Sequence, residues 1–310
     1  MAVYSISDLE KLTGVKTHTI RIWEKRYNLI EPQRTPTNIR YYNDEDLRLL
    51  MNVVLLNKNG YKISHIAEMN AEEVNRIVRR LTASREDNRD NIIDALTLAM
   101  IDLDEVKFNS IVDNSIREKG MENTTIQLLF PLLDKIGVLW LAGTIKPAME
   151  NFITILIRQK LISAIDQIKP DSYLNSKKFL IYMPEGETQE LSFLFIHYMI
   201  LSRGFRVINL GNNITLYDLQ DAYKIHKPPY IFTMINEAAT KIDLQTYLSE
   251  IEKLFPQSNL LLSGYQAAIQ SYDIPVNTEV VSSMIDLMDF LNDLKKKKTE
   301  QAKKLKSILA

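Results

Sequence analysis

Six basic side chains, Lys16, Arg21, Lys25, Arg26, Arg34 and Arg40, fall between positions 16 and 40 against two acids, Glu24 and Glu31. Closely spaced guanidinium and ammonium groups suit an anionic polymer, because each can neutralise one phosphate and displace its counterions. Other chemistries are poorly provided for. With no cysteine there is no disulfide, thiolate metal site or cysteine nucleophile, and four histidines (His18, His65, His197, His226) are too few for a His-rich metal centre. No Ser-His-Asp set, phosphate-cradling glycine loop or paired-carboxylate site stands out, so the chain is not read as an enzyme. A second basic run, seven lysines against Glu300 between Lys295 and Lys306, is read as a solvated tail.

The elements that must carry the first cluster are short. Ser7 followed by Glu10 reads as a capping box for a helix bearing Leu9 and Leu12, which Gly14 ends. A second helix starts near Thr17. Ile20, Trp23 and Tyr27 form one stripe along it, while His18, Arg21 and Lys25 share another face. Two helices across a tight turn make a helix-turn-helix, whose second member enters the major groove. Trp23 suits either a core anchor or a phosphate-facing ring. Thr35-Pro36-Thr37-Asn38 then reads as the turn of a two-stranded wing with Arg34 and Arg40 near its ends, and Asn43 caps a helix carrying Leu47, Leu50, Met51 and Val54 that stops at Gly60.

The segment TIRIWEKRYNLIEPQRTPTNIRYYNDEDLRLL resembles the MerR family of regulators, in the subgroup reading R-x-W-E-x-R-Y-x-L, then x-P-x-R-T, then R-x-Y. Thr37-Asn38 stands where a Gly-Gly pair is common at the wing tip. The resemblance implies contacts to double-stranded DNA at a promoter or operator from Lys16, Thr17, His18, Arg21, Trp23, Lys25, Arg26, Tyr27, Arg34, Arg40, Tyr41 and Tyr42.

Farther along, four amphipathic segments, around Ile92–Leu103, Glu105–Glu118, Thr124–Leu141 and Pro147–Ile168, suggest a helical bundle. From about residue 177, apolar runs such as FLIYM alternate with helical stretches, the pattern of a five-stranded, parallel, flavodoxin-like α/β sheet. The loop Pro184–Gln189 lies at a strand's C-terminal end, where open α/β sheets take ligands. The segment VLWLAGTIKPAMENFITILIRQKL is similar to the cap bundle of cobalamin-binding domains, most of all in CarH- and LitR-like light-responsive repressors of the same subgroup. The pocket that this resemblance implies is lined by Trp140, Glu150, Asn151, Glu187, Gln189 and Gly264. Trp140, Glu150 and Glu187 match the family. Asn151 replaces a histidine tied to light chemistry, Gln189 the histidine that ligates cobalt, Ser192 a glycine, and Tyr265 the second of a Gly-Gly pair. A glutamine amide is a far poorer cobalt ligand than imidazole.

The sequence therefore predicts a multidomain chain: a winged-helix reader over 1–75, a helical linker over 76–90, a four-helix cap bundle over 91–171, a Rossmann-like domain over 177–294 and a basic tail over 295–310. Its 310 residues, 45% hydrophobic and 25% charged with a net charge of −1, contain no secretory leader or apolar run of about 18 residues, so the expectation is a cytoplasmic, nucleoid-associated protein without a membrane partner. The expected function is a sequence-specific regulator, more in keeping with repression than activation. Its effector and oligomerisation half has lost cobalamin and light sensing, it binds no cofactor, and it assembles as a dimer or tetramer under an unidentified small-molecule or protein effector. The alternative is a corrinoid-binding protein, either an adenosylcobalamin-dependent regulator or a methyltransferase-type corrinoid subunit.

Overall fold

The computed structural model describes residues 4–34, 38, 40–70, 72–74, 76–78, 89–141, 144–169, 177–236, 244–264 and 273–308. Its contacts divide the chain into two compact units, Met1–Ile157 and Arg158–Ala310.

The first unit opens with α1 (Ile6–Thr13) and α2 (Thr17–Tyr27), then strands β1 (Gln33–Arg34) and β2 (Arg40–Tyr41), the long α3 (Asp44–Lys58) and a single turn α4 (Ile63–Ile66). The cap of α1 lies two residues earlier than expected. Ser5, not Ser7, accepts from the Asp8 amide, and the Asp8 carboxylate returns to the Ser5 amide. Either register satisfies the sequence motif, but Leu9 and Leu12 must face the core, and that sets the helix start. Gly14 closes α1 at φ 74°, a left-handed conformation that glycine adopts without a Cβ clash. Asn43 caps α3 in a box with Asp46, as the sequence implies. Of the wing, the strand ends and Asn38 are described; the turn residues Thr35, Pro36 and Thr37 lie outside the described residues, as does most of the expected linker.

Helices α5 (Arg89–Ile101), α6 (Glu105–Thr124), α7 (Phe130–Leu141) and α8 (Pro147–Asp166) make the bundle. Gly120 breaks α6 at φ 79°, and a π-helical segment, Thr125–Leu129, joins it to α7, so Glu105–Leu141 is a continuous but kinked helical path. By length and composition that path is apolar enough to cross a membrane, contrary to the expectation from the sequence. Phe108, Val112, Leu128, Leu129, Leu132, Ile136 and Leu139 are buried within the protein, but 39% of the apolar window is so covered, and Val106, Val138, Trp140 and Leu141 are exposed. Asp94 on α5 is gripped by Lys58 of α3 and Lys135 of α7, both at 2.7 Å, and Arg48 of α3 reaches Asp102 at 2.8 Å.

In the second unit β3 (Lys178–Pro184), α9 (Glu190–Ser202), β4 (Arg206–Ile214), α10 (Leu216–His226), β5 (Tyr230–Met234), α11 (Leu244–Leu254), β6 (Asn259–Ser263), β7 (Thr278–Val281) and α12 (Met284–Ile308) alternate. The five strands are all parallel in the order β4-β3-β5-β6-β7, the flavodoxin-like arrangement, so β3 stands at the topological switch point beside β5. Leu180, Tyr182, Ile231, Leu260 and Leu262 pack one face of the sheet against Leu219 of α10 and Leu248 and Ile251 of α11. The basic stretch 295–308 continues α12 as helix, beyond its last buried leucines, Leu291 and Leu294.

Candidate nucleic-acid interface and ligand loop

α2 is anchored at its start by a neighbour. Lys16, its N-cap, supplies no side-chain cap. Glu10 of α1 instead accepts from the Thr17 amide at 3.0 Å and from Lys16 Nζ at 3.0 Å, contacts that hold its carboxyl below the usual range, the lysine first. Ile20 and Trp23 are buried, which fixes the inner side of the helix and settles Trp23 as a core anchor. His18, Arg21, Lys25 and Arg26 are exposed on the other side, Thr17 is half-buried, and Arg26 lies 5.6 Å over the half-buried Tyr27 ring. Among these polar side chains sits a residue that the sequence reading passed over: Ile22, 50% exposed. Its position four residues after His18 and three before Lys25 was signal enough to place it there.

The wing presents two cations together. In the ladder Arg34 pairs with Arg40 and Gln33 with Tyr41. Directly opposed residues of an antiparallel pair project to one face, and like charges so placed repel. Arg34 donates to the Asn38 side-chain oxygen at 2.7 Å. Arg40 Nε is buried 3.8 Å from Glu24 and makes no hydrogen bond among the described residues, while the side chain as a whole is 38% exposed.

Tyr42 is not available to DNA. It is fully buried, bridges Tyr4 through both backbone hydrogen bonds (2.8 and 2.9 Å), and its hydroxyl donates to Glu24. Burial first, and then Glu24, raise the phenol's pKa far above its ordinary value. The Tyr42–Glu24 contact ties the wing to the recognition helix. Tyr41, half-buried on the wing, remains accessible.

In the second unit the residues of the expected ligand loop serve the fold. Glu187 is buried at 5% exposure, yet its carboxylate is well satisfied: Oε1 accepts from the amides of Thr188 (3.0 Å) and Gln189 (3.1 Å), and Oε2 from that of Asn236 (2.6 Å). Asn236 follows β5, so this carboxylate staples together the two chain segments that flank the switch point. Gln189 is the exposed N-cap of α9 and forms no side-chain cap. Gly264, at φ 108° after β6, has no room for a Cβ, which would stand 2.3 Å from the Ile235 carbonyl oxygen. His197 on α9 faces Asn209, whose Nδ2 donates to its Nδ1 at 3.1 Å; burial lowers its pKa to about 4. In the first unit Trp140 ends α7 at 43% exposure, and Glu150 and Asn151 lie in the first turns of α8, half-buried and exposed. Tyr265 lies outside the described residues, and Ser192 is half-buried on α9. A groove of about 430 Å³ over α12, lined by Glu279, Asp286, Asp289 and Asp293, involves none of these residues.

Residues 4–73 match the MerR HTH family regulatory protein family, and residues 92–162 match the B12 binding domain family. The chain is 24% identical to the HTH-type transcriptional repressor CarH of Myxococcus xanthus, over 86% of its own length and 89% of that protein's, and 26% identical to CarA of the same organism over 70% and 71%. It is thus a homologue of these HTH-type repressors, joining a MerR helix-turn-helix to a B12-binding-type domain. The MerR-type reader alone is 32% identical over 73 residues to the regulator MlrA of Escherichia coli, 24% of this chain and 30% of that one. The monomethylamine corrinoid protein of Methanosarcina barkeri superposes over 67% of this chain and all of its own with a TM-score of 0.54 at 11% identity, a likeness of fold.

The donor set bears on whether a corrinoid fits. Within Glu187–Ser192 no imidazole is present, and both carboxylates are engaged: Glu187 by three amides and Glu190 by the Arg158 guanidinium at 2.7 Å. His197 stands two turns farther along α9 and is engaged by Asn209. These residues do not fit a corrinoid whose cobalt is ligated by a histidine of this loop.

Proposed function

We propose that this protein is a sequence-specific DNA-binding transcriptional regulator, acting in the cytoplasm as a repressor that occupies promoter DNA. One observation carries the reading: α2 buries Ile20 and Trp23 and turns His18, Arg21, Lys25 and Arg26 outward, while the wing opposes Arg34 and Arg40 on one face. α2 would lie in the major groove, with Lys16, Thr17, Arg21, Lys25 and Arg26 on phosphates and base edges and the wing arginines and Tyr41 on the flanking backbone. The named relatives, which are repressors and regulators, support a non-enzymatic role. Selection from a random duplex pool, followed by binding titration in low-salt buffer, tests the reading. Enrichment of a defined, two-fold related site is expected; retention of the pool without enrichment would refute it.

For the rest of the chain we propose an effector and oligomerisation module, assembling dimers or tetramers, that holds no histidine-ligated cobalamin. The mismatch of the Glu187–Ser192 loop supports this. The match to B12 binding domains favours the competing reading, a corrinoid-responsive regulator. Incubation with adenosylcobalamin and with methylcobalamin in the dark, then gel filtration, separates the two. Protein free of corrinoid absorbance is expected, and a coloured protein peak would favour the corrinoid reading. With no corrinoid held, a different small molecule or a protein partner is the effector.

A further inference from the structure

Ile22 is the one large apolar side chain turned outward on α2, at 50% exposure. At about 100° per residue it lies roughly 40° around the helix from His18 and about 60° from Lys25. His18, Arg21, Lys25 and Arg26 surround it, and all four are exposed. The core side of α2 is already supplied by Ile20 and Trp23, a β-branched residue is a weaker helix former than lysine or alanine, and half of its surface is left in water. An apolar protein partner is disfavoured as its cover, because burying Ile22 against one would also strip water from the surrounding cations. The major groove is a surface that is anionic at its edges and apolar at points within, and the apolar point is the C5-methyl of thymine.

We infer that Ile22 reads a thymine methyl in the operator's major groove, with the cations around it meeting phosphates and polar base edges. This rests on the DNA-binding reading above and adds what the helix selects. The test takes the duplex enriched by the full-length wild-type protein and replaces each thymine in turn by deoxyuridine, which removes the methyl and leaves the pairing intact. Binding is read by fluorescence anisotropy. One position in each half-site should weaken binding about fourfold, the equivalent of about 0.8 kcal/mol for one methyl group, and about fifteenfold when both half-sites are changed. Ile22→Ala should bind the thymine and deoxyuridine duplexes equally at that position, with its thermal melt and salt dependence unchanged. Ile22→Val should keep most of the discrimination. If the wild type binds its site specifically but no thymine shows the penalty, or if Ile22→Ala retains it in full, the inference is wrong while DNA binding stands. If the wild type enriches no sequence at all, both fall.

Discussion

Replacing the two wing arginines separates a phosphate contact from a structural one. Arg34 and Arg40 are cross-strand partners, so the free protein holds two like charges face to face, and removing one relieves that repulsion. Arg34 makes its described contacts only to Asn38, at an exposed site, so Arg34→Ala should change folding stability by no more than about 0.5 kcal/mol. Arg40 lies 3.8 Å from Glu24, which keeps its Tyr42 hydrogen bond when Arg40 is truncated, so the fold should also survive Arg40→Ala. Binding should respond differently. Each lost phosphate contact costs about 1–3 kcal/mol, roughly 5- to 150-fold in affinity. Each also lowers the slope of log K against log salt by about 0.9, so a dimer carrying both substitutions should lose about 3.6 from its slope. Anisotropy titrations of the enriched duplex between about 50 and 200 mM salt measure the slope, and thermal melting checks the fold. A well-folded double variant with the wild-type slope would refute the placement of the wing on DNA, whatever happened to its affinity at a single salt concentration.

Tyr42→Phe removes the hydroxyl that satisfies Glu24, so it should cost about 1–3 kcal/mol in denaturant melts while leaving the affinity of the folded protein for the enriched duplex unchanged; unchanged stability with weakened binding would return Tyr42 to the DNA contacts. Gly264→Ala forces a Cβ to 2.3 Å from the Ile235 carbonyl at a φ of 108°, and should destabilise the protein by about 3 kcal/mol or more; an unchanged melting temperature would show that the β6 terminus can shift. Burial lowers the pKa of His197 from 6.5 to about 4, so the unfolded chain binds a proton there before the folded one does. The stability contributed by this neutral imidazole is complete above about pH 6.5 and is lost as pH falls towards about 4. Urea midpoints across that interval should fall more steeply for wild type than for His197→Gln, and parallel curves would remove His197 as the cause.

Much of the reader was legible because its signals are local. The stripe of Ile20 and Trp23, the Asn43 cap and the left-handed Gly14 depend on neighbours within a turn or two, and the helix period carries them. The bundle segments and the alternating strands were legible for the same reason, as with the apolar run FLIYM, which lies within β3. Locality also explains the misplaced cap of α1. Ser5/Asp8 and Ser7/Glu10 are equally good motifs, and the choice rests on burying Leu9 and Leu12 and on Glu10 being used to cap α2. The apolar path through Glu105–Leu141 likewise says nothing about what covers it until the bundle is assembled.

By itself the sequence determined where the cations fall, which face of α2 carries them and that the Glu187–Ser192 loop has no histidine, since these follow from residue identity and backbone period. The tertiary structure decided what each side chain is free to do. Tyr42 meets Glu24 across 18 residues and Glu187 meets the Asn236 amide across 49, so a residue that its motif marks as a contact becomes a brace, and a pocket carboxylate becomes a staple. The physical reason is that a polar group's role depends on which partners have already satisfied it when water is excluded, and those partners are brought together only by the fold.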